Sequence, residues 1–214
     1  MSLDLKEHSL PPELAATALR ELNETPTMRR EGLRELRRRV AEMEDADDTL
    51  VADSAFLLRF LRCKKFDVSR SFSVYQGYCR FRRDNADMFE DLDPHSVRHV
   101  WDDGVIGALS ARDKKGRSVM VGFPGRWEPC EHGLEDVLRA LVLQLEHMIV
   151  SEETQVNGIV LIADFKNFSL YQARCLRPWY FQMMTSLVQV RQLCSVCIPR
   201  ISMRGAPPLR HRCR

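Results

Sequence analysis

Apolar residues recur at helical spacing through the first hundred positions. Leu14, Ala18, Leu19 and Leu22 share one side of a helix predicted over residues 11–24. Thr25 followed by Pro26 is a helix start, a capping hydroxyl ahead of proline at the first helical position. Leu33, Leu36, Val40 and Met43 continue at the same spacing. The opposite face carries Arg29, Arg30, Arg34, Arg37, Arg38 and Arg39, interrupted by Glu31, Glu35 and Glu42. That mixture reads as a solvated helix face rather than a nucleic-acid patch. After an acidic linker at 45–48, Asp53 or Ser54 caps a compact apolar helix, Phe56 to Leu61, ending at the basic run Arg62, Lys64, Lys65. Phe66-Asp67-Val68-Ser69 opens the next helix, with Phe72, Tyr75, Cys79 and Arg82 on a stripe, and Asp93-Pro94 opens a short one that ends before Gly104. Residues 10–95 are therefore expected to form an all-α module.

The pattern then changes. Residues 105–110 and 118–123 are predicted strands joined by the polar turn Arg112-Asp113-Lys114-Lys115-Gly116-Arg117, a hairpin signal. Residues 134–150 predict an amphipathic helix with Leu134, Val137, Leu138, Leu141, Val142, Leu145, Met148 and Ile149 on its apolar side, stopped by Asn157-Gly158. Ile159-Val160-Leu161-Ile162-Ala163 is continuously apolar, which predicts a strand buried on both faces. Ser169 caps a further helix through about Leu187, broken or bent at Pro178. Hairpin, helix, strand and helix in that order describe an α/β sheet. The fold class expected is thus α+β or α/β.

Composition adds exclusions. No apolar run approaches the roughly 20 residues that span a bilayer, and the N-terminus lacks the pattern of a signal peptide. The seven cysteines are accordingly expected as free thiols in a reducing cytosol. The net charge of +2 conceals an asymmetry: residues 190–214 hold six arginines and no acid, while 26 basic residues face 30 acidic ones in the remainder. No glycine-rich phosphate loop, HExxH or GxSxG occurs. Asp164 ends the apolar strand without a base or nucleophile partner and is read as a cap, and His147 beside Glu146 as a surface residue. Cys194 and Cys197 with His211 and Cys213 lack zinc-finger spacing. No metal, no catalytic residue, no cofactor and no nucleic-acid partner is expected.

Several motifs together resemble one family. Phe56-Leu57-Leu58-Arg59-Phe60-Leu61-Arg62-Cys63-Lys64-Lys65-Phe66 is similar to the helix-end signature of the CRAL-TRIO lipid carriers, the group of the clavesins, cellular retinaldehyde-binding protein and α-tocopherol transfer protein. Arg20 to Pro26 resembles that family's helical module, Arg112 to Arg117 its hairpin turn, Trp127-Glu128-Pro129 its post-strand loop, and Glu152 to Gly158 its helix-to-strand corner. The resemblance implies a helical module at 10–95, then the first part of an α/β lipid-binding domain at 96–189. It implies non-enzymatic binding and transfer of one small hydrophobic ligand of retinoid, tocopherol or phospholipid class. It further implies phosphoinositide recognition and a cytoplasmic protein peripheral to endosomal or trans-Golgi membranes.

Periodicity alone makes Leu138, Leu141, Val142 and Leu145 ordinary core; the resemblance places them along the ligand cavity. Ile159, Leu161 and Ala163, which alternate on one strand face, become the second wall, with Phe123 and Trp127 at the near end. Arg62, Lys64 and Lys65 stand at the family's basic head-group site. Their competing reading is a charge cluster that complements the helix dipole. The resemblance is drawn to stop at Gln189. Residues 190–214, crowded with arginine, proline and cysteine, read as a structureless foreign tail of the kind translated non-coding sequence gives. The lipid domain is then expected to be incomplete, with no strand after 159–163. The alternative function is a truncated isoform or mispredicted chain that binds no lipid, at most an interaction fragment.

Overall fold

A computed structural model of the protein describes residues 10–43, 53–180, 183 and 196–197. The helices start where capping side chains stand. Helix α1 runs Pro12–Leu22 and α2 Pro26–Ala41, with the Thr25 hydroxyl accepting from the Met28 N–H at 3.1 Å. Asp53 caps α3 (Ser54–Cys63) by accepting from the Ala55 N–H, and Asp67 caps α4 (Val68–Asp84) by accepting from the Arg70 N–H. These bonds satisfy donors that the first helical turn leaves open. Two short helices follow, α5 (Ala86–Phe89) and α6 (Arg98–Asp102). The acidic linker at 45–48 lies outside the described residues.

One core joins α2, α3 and α4. Phe56, Phe60, Tyr75 and Tyr78 meet edge to face with ring centroids 5.3–6.5 Å apart, the arrangement the aromatic quadrupole favours. Leu36, Val40, Leu57 and Leu61 close around them. A Cβ at Gly32 of α2 would stand 3.4 Å from the Leu61 and Phe66 side chains, so α2 packs closely on them there.

The sheet has the order β1-β2-β3-β4. Strand β1 (Ile106–Ala108) pairs antiparallel with β2 (Ser118–Gly122), the expected hairpin. Strand β2 pairs in parallel with β3 (Ile159–Ala163), so the link between them crosses over. That link holds α7 (Leu134–Ile149) and α8 (Glu152–Asn157). The single helix expected up to Asn157-Gly158 is thus two. The chain breaks at Val150–Ser151, the Ser151 hydroxyl caps α8 from the Thr154 N–H, and Gly158 at φ 92 turns the backbone into β3.

A second core lies between α7 and the sheet: Leu138, Leu141, Val142, Met120 and Ile159, with Phe81 of α4 and Met88 of α5 packed into it from the helical part. A third, small one joins Ala18 and Leu22 of α1 to Val156 of α8.

Two expectations are corrected. Strand β3 is not buried on both faces: Ile159 and Val160 are, but Leu161 and Ala163 are half-buried and Ile162 is 47% exposed. Nor does the sheet stop at β3. Val196–Cys197 form a fourth strand, β4, parallel to Ile159–Val160, inside the segment read as structureless. The rest of 190–214, with Cys194, His211 and Cys213, lies outside the described residues.

Candidate functional site

The helix after β3 begins with a capping box. The Ser169 hydroxyl accepts from the Gln172 N–H while the Gln172 side chain accepts from the Ser169 N–H, opening α9 (Leu170–Cys175). It ends at Leu176, and helical backbone resumes at Pro178, where the missing N–H costs little. The Gln172 amide also donates to the carbonyls of Pro124 and Trp127, tying α9 to the loop after β2. At Gly125 in that loop a Cβ would fall 2.1 Å from the Lys166 carbonyl oxygen, so the loops after β2 and β3 meet backbone to backbone. This is the carboxyl end of the parallel strands, where α/β sheets place ligands. Asp164 accepts from the Lys166 N–H there, consistent with a capping role.

The nine side chains expected around a ligand divide into two sets. Leu138 and Val142 are 0% exposed and Ile159 1%, so no water-sized space touches them. Leu141 and Trp127 are also buried, and the Trp127 indole N–H is used on the His132 carbonyl at 3.0 Å. These five are buried in the core between α7 and the sheet. Leu145 and Leu161 differ: both pack on that core yet keep part of their surface outside it. Cys175, Leu176, Tyr180 and Met183, in the segment beginning at α9, likewise pack on that core while partly exposed. Burial pushes the Tyr180 hydroxyl's pKa up. Ala163 is half-buried, and Phe123 lies under the Arg126 guanidinium, 4.6 Å from its ring centre.

Large apolar side chains are exposed nearby. Ile162, Phe165, Leu170, Tyr171 and Trp179 all fall within residues 162–179. The Tyr171 hydroxyl sits 3.2 Å from Cys130 Sγ, a hydrogen bond that raises its pKa to about 12.

The basic run is corrected at one residue. Arg62 is 1% exposed. Its guanidinium makes two bonds of 2.8 Å to the Glu24 carboxylate, one of 2.7 Å to Gln155 and one of 3.1 Å to Glu152. It ties α3 to the α1–α2 turn and to α8 through bonds made within the protein. Lys64 is half-buried and Lys65 exposed. Cys63, just before Lys64, has its thiol raised to about 11 by burial.

Arg112 plays a similar part. It donates to Ser118, Ser151 and Thr154 and pairs with Glu153 at 3.0 Å, while Asn157 donates to the Gly116 carbonyl. Gly116, at φ +73, has no room for a Cβ beside that Asn157 amide.

An open groove of about 930 Å³ lies on the other flank of α7, lined by Trp101, Leu109, Leu143, Val150, Arg112 and His147 among others. None of the nine expected pocket residues lines it. His147 is exposed, as expected. Cys63, Cys79, Cys130 and Cys175, the cysteines whose side chains are described, form no disulfide. Among the described residues no helix is long and apolar enough to cross a membrane. Sequence reasoning also passed over the grouping of Asp103, Glu131 and His132, which stand up to 29 positions apart with no periodicity to join them.

Comparisons with known proteins fit this geometry. Residues 102–196 match the family model of the CRAL/TRIO domain, running past Gln189 into β4. The chain is similar to Clavesin-2 of Homo sapiens, 40% identical over 172 residues that are 79% of this chain and 52% of that protein. It is similar to Clavesin-1 of Xenopus laevis, 36% identical over 171 residues, 79% of this chain and 51% of the relative. The chain spans about half the length of the curated relatives it matches.

Proposed function

Since the chain belongs to the CRAL-TRIO family of lipid carriers, we propose that it binds one small hydrophobic molecule, of retinoid, tocopherol or phospholipid class, and carries it without catalysing a reaction. The observation that supports this is the set of partly exposed apolar side chains, Leu145, Leu161, Leu176, Tyr180 and Met183, packed on the core of α7 and the sheet. A lipid tail gains about 25 cal/mol for each Å² it removes from water. Half-exposed leucines beside a closed core offer that surface, whereas Leu138 and Val142 do not. The exposed Ile162, Phe165 and Trp179 suit contact with the membrane from which such a ligand is drawn. Peripheral contact with phosphoinositide membranes, of the endosomal or trans-Golgi kind, rests on Lys64 and Lys65 in this reading, without Arg62.

The test is to incubate the purified chain with liposomes containing retinal, α-tocopherol and phosphatidylcholine, with and without phosphoinositide, and to read adducts by native mass spectrometry. A one-to-one adduct with one of the three is expected, lost in Leu161→Glu. Lys64→Glu with Lys65→Glu should lower partition onto the phosphoinositide liposomes, an effect that fades with added salt. No adduct with any of the three, or an undiminished one in Leu161→Glu, refutes the lipid reading.

A further inference from the structure

We propose that Asp103, Glu131 and His132 form a binding site for a divalent transition-metal cation, separate from the lipid-facing layer. Asp103 follows the last residue of α6, and Glu131 and His132 lie in the loop that leads into α7. The loop is set by two backbone bonds of 2.9 Å from the N–H groups of both residues to the Glu128 carbonyl. One metal-ligating atom from each of the three side chains falls within 4.8 Å of the others.

Three features distinguish this group from an ordinary surface cluster. Its centre is a buried imidazole: His132 is 5% exposed while both carboxylates are exposed. The His132 Nε2 meets the Asp103 carboxylate, and the Nδ1 is buried with no hydrogen-bond partner among the described residues. The Nε2 that faces Asp103 is the nitrogen a cation would take, on a ring whose orientation burial already fixes. Second, the two carboxylates converge with no lysine or arginine paired to either among the described residues. Arg126, beside Gly104, is turned over the Phe123 ring instead. Like charges held together in this way favour a cation between them. Third, a second imidazole is at hand. The His99 ring lies 4.9 Å from the His132 ring, its Nε2 3.7 Å from Asp136.

The donor set defines the cation. One imidazole with two carboxylates suits borderline metals such as zinc, cobalt and manganese, whereas calcium and magnesium prefer oxygen alone. Three protein ligands leave further positions to water or to His99. Occupancy would join the end of α6 to the loop that anchors Trp127 through the His132 carbonyl. Gln172 of α9 holds the same loop from the other side. The cation therefore stiffens the wall next to the lipid-facing layer.

The test is a cobalt(II) titration of the 214-residue chain followed by its electronic absorption. One saturable equivalent is expected, with weak visible bands of nitrogen and oxygen ligation and no intense near-ultraviolet thiolate band. Glu131→Gln, at an exposed position and with an amide oxygen still able to reach the cation, should weaken binding about ten-fold or more, and His132→Gln more than about a hundred-fold, as loss of a direct ligand exceeds the 10–100-fold effect of outer-shell changes. Absence of saturable binding, a thiolate spectrum, or wild-type affinity in Glu131→Gln and His132→Gln would each overturn the proposal. Lipid uptake does not enter the readout, so the two proposals fail separately.

Discussion

The two larger cores are built from the same kind of helical stripe and end differently. The core of α2, α3 and α4 is closed: Phe56, Phe60, Tyr75 and Tyr78 are 7% exposed or less, and rings fill the space between three helices. The core of α7 and the sheet is closed only on its inner side. There Leu138 and Val142 are sealed, while Leu145 one turn on and Leu161 across on β3 stay half-exposed. Helical periodicity is equal in both, so periodicity does not separate a helix whose apolar face is sealed from one whose apolar face is partly open. The difference lies in what is packed against the helix: aromatic helices in one case, a short sheet in the other. The seam between the parts is polar. Arg62 links to Glu24, Gln155 and Glu152, and Arg59 to Glu146 at 3.1 Å.

Breaking that seam should have the largest effect. Arg62→Ala leaves Glu24, whose side chain is 5% exposed, in a site that has lost its principal cation. Removal of one partner from a buried ion pair costs about 3–5 kcal/mol, a large part of a total of about 5–15 kcal/mol. All three tryptophans, Trp101, Trp127 and Trp179, lie in the later part of the chain, so fluorescence reports that part alone. In urea, the variant's fluorescence and far-ultraviolet circular dichroism transitions should separate, while Arg62→Leu with Glu24→Leu recovers most of the loss. Coincident transitions with a loss under about 1 kcal/mol would show that the seam does not couple the two parts.

The comparison sharpens with one truncation made twice. Leu57→Ala, at a 0% exposed position in the helical core, should cost about 2–5 kcal/mol. Leu161→Ala removes the same atoms from a half-buried position and should cost less than about 2 kcal/mol, since less apolar surface returns to water. Equal costs in chemical denaturation would mean that Leu161 is core and the outer layer is no ligand surface.

Much of the fold was legible because local chemistry decided it. Thr25, Asp53, Ser169 and Gly158 acted as their residue types predict, and the hairpin formed across residues 112–117. The motifs that carry the family resemblance were legible as sequence but not as roles. Arg62 reads as one more cation at a helix end, yet it stands one turn after Leu58 on an inward face, and that was the available signal. Arg112 likewise points from a polar turn into Ser118, Ser151 and Thr154. Both are clamps on α8. The Asp103, Glu131 and His132 grouping had no local signal, because it forms only when α6 packs against the loop before α7. The partly exposed face of β3 runs against the expectation because an apolar run shows that burial is affordable, not that a neighbour is present on each face.

The smallest expected effect distinguishes two carboxylates of similar pKa, one in each part. Asp113 in the β1–β2 turn is lowered from 3.8 to about 2, first by the Arg117 side chain and then by the N–H groups of Arg117 and Lys115. Glu35 on the outer face of α2 is lowered from 4.5 to about 2 by Arg38 and Arg39. A carboxylate with a depressed folded pKa adds stability that is complete above its ordinary pKa and is lost as pH falls through the folded value. Both contributions should therefore fade between about pH 4 and pH 2. Their structural consequences differ. Asp113 accepts from both flanking N–H groups and so shapes the turn, whereas Glu35 only pairs with its neighbours along an exposed helix face. Lowering the pH through this window should loosen the hairpin, read as faster amide exchange at Leu109, whose N–H bonds the Val119 carbonyl at 2.9 Å. The amides of α2 should respond far less, since exposed ion pairs on a helix contribute little. In Arg117→Ala the carboxyl titration of Asp113, followed by carbon-detected NMR, should move up toward 3.8 without reaching it, because the Lys115 and residue 117 N–H groups still donate. An Asp113 midpoint near its ordinary value in the unsubstituted protein, or equal loosening of α2 and the hairpin, would remove the turn from the features that set the two parts apart.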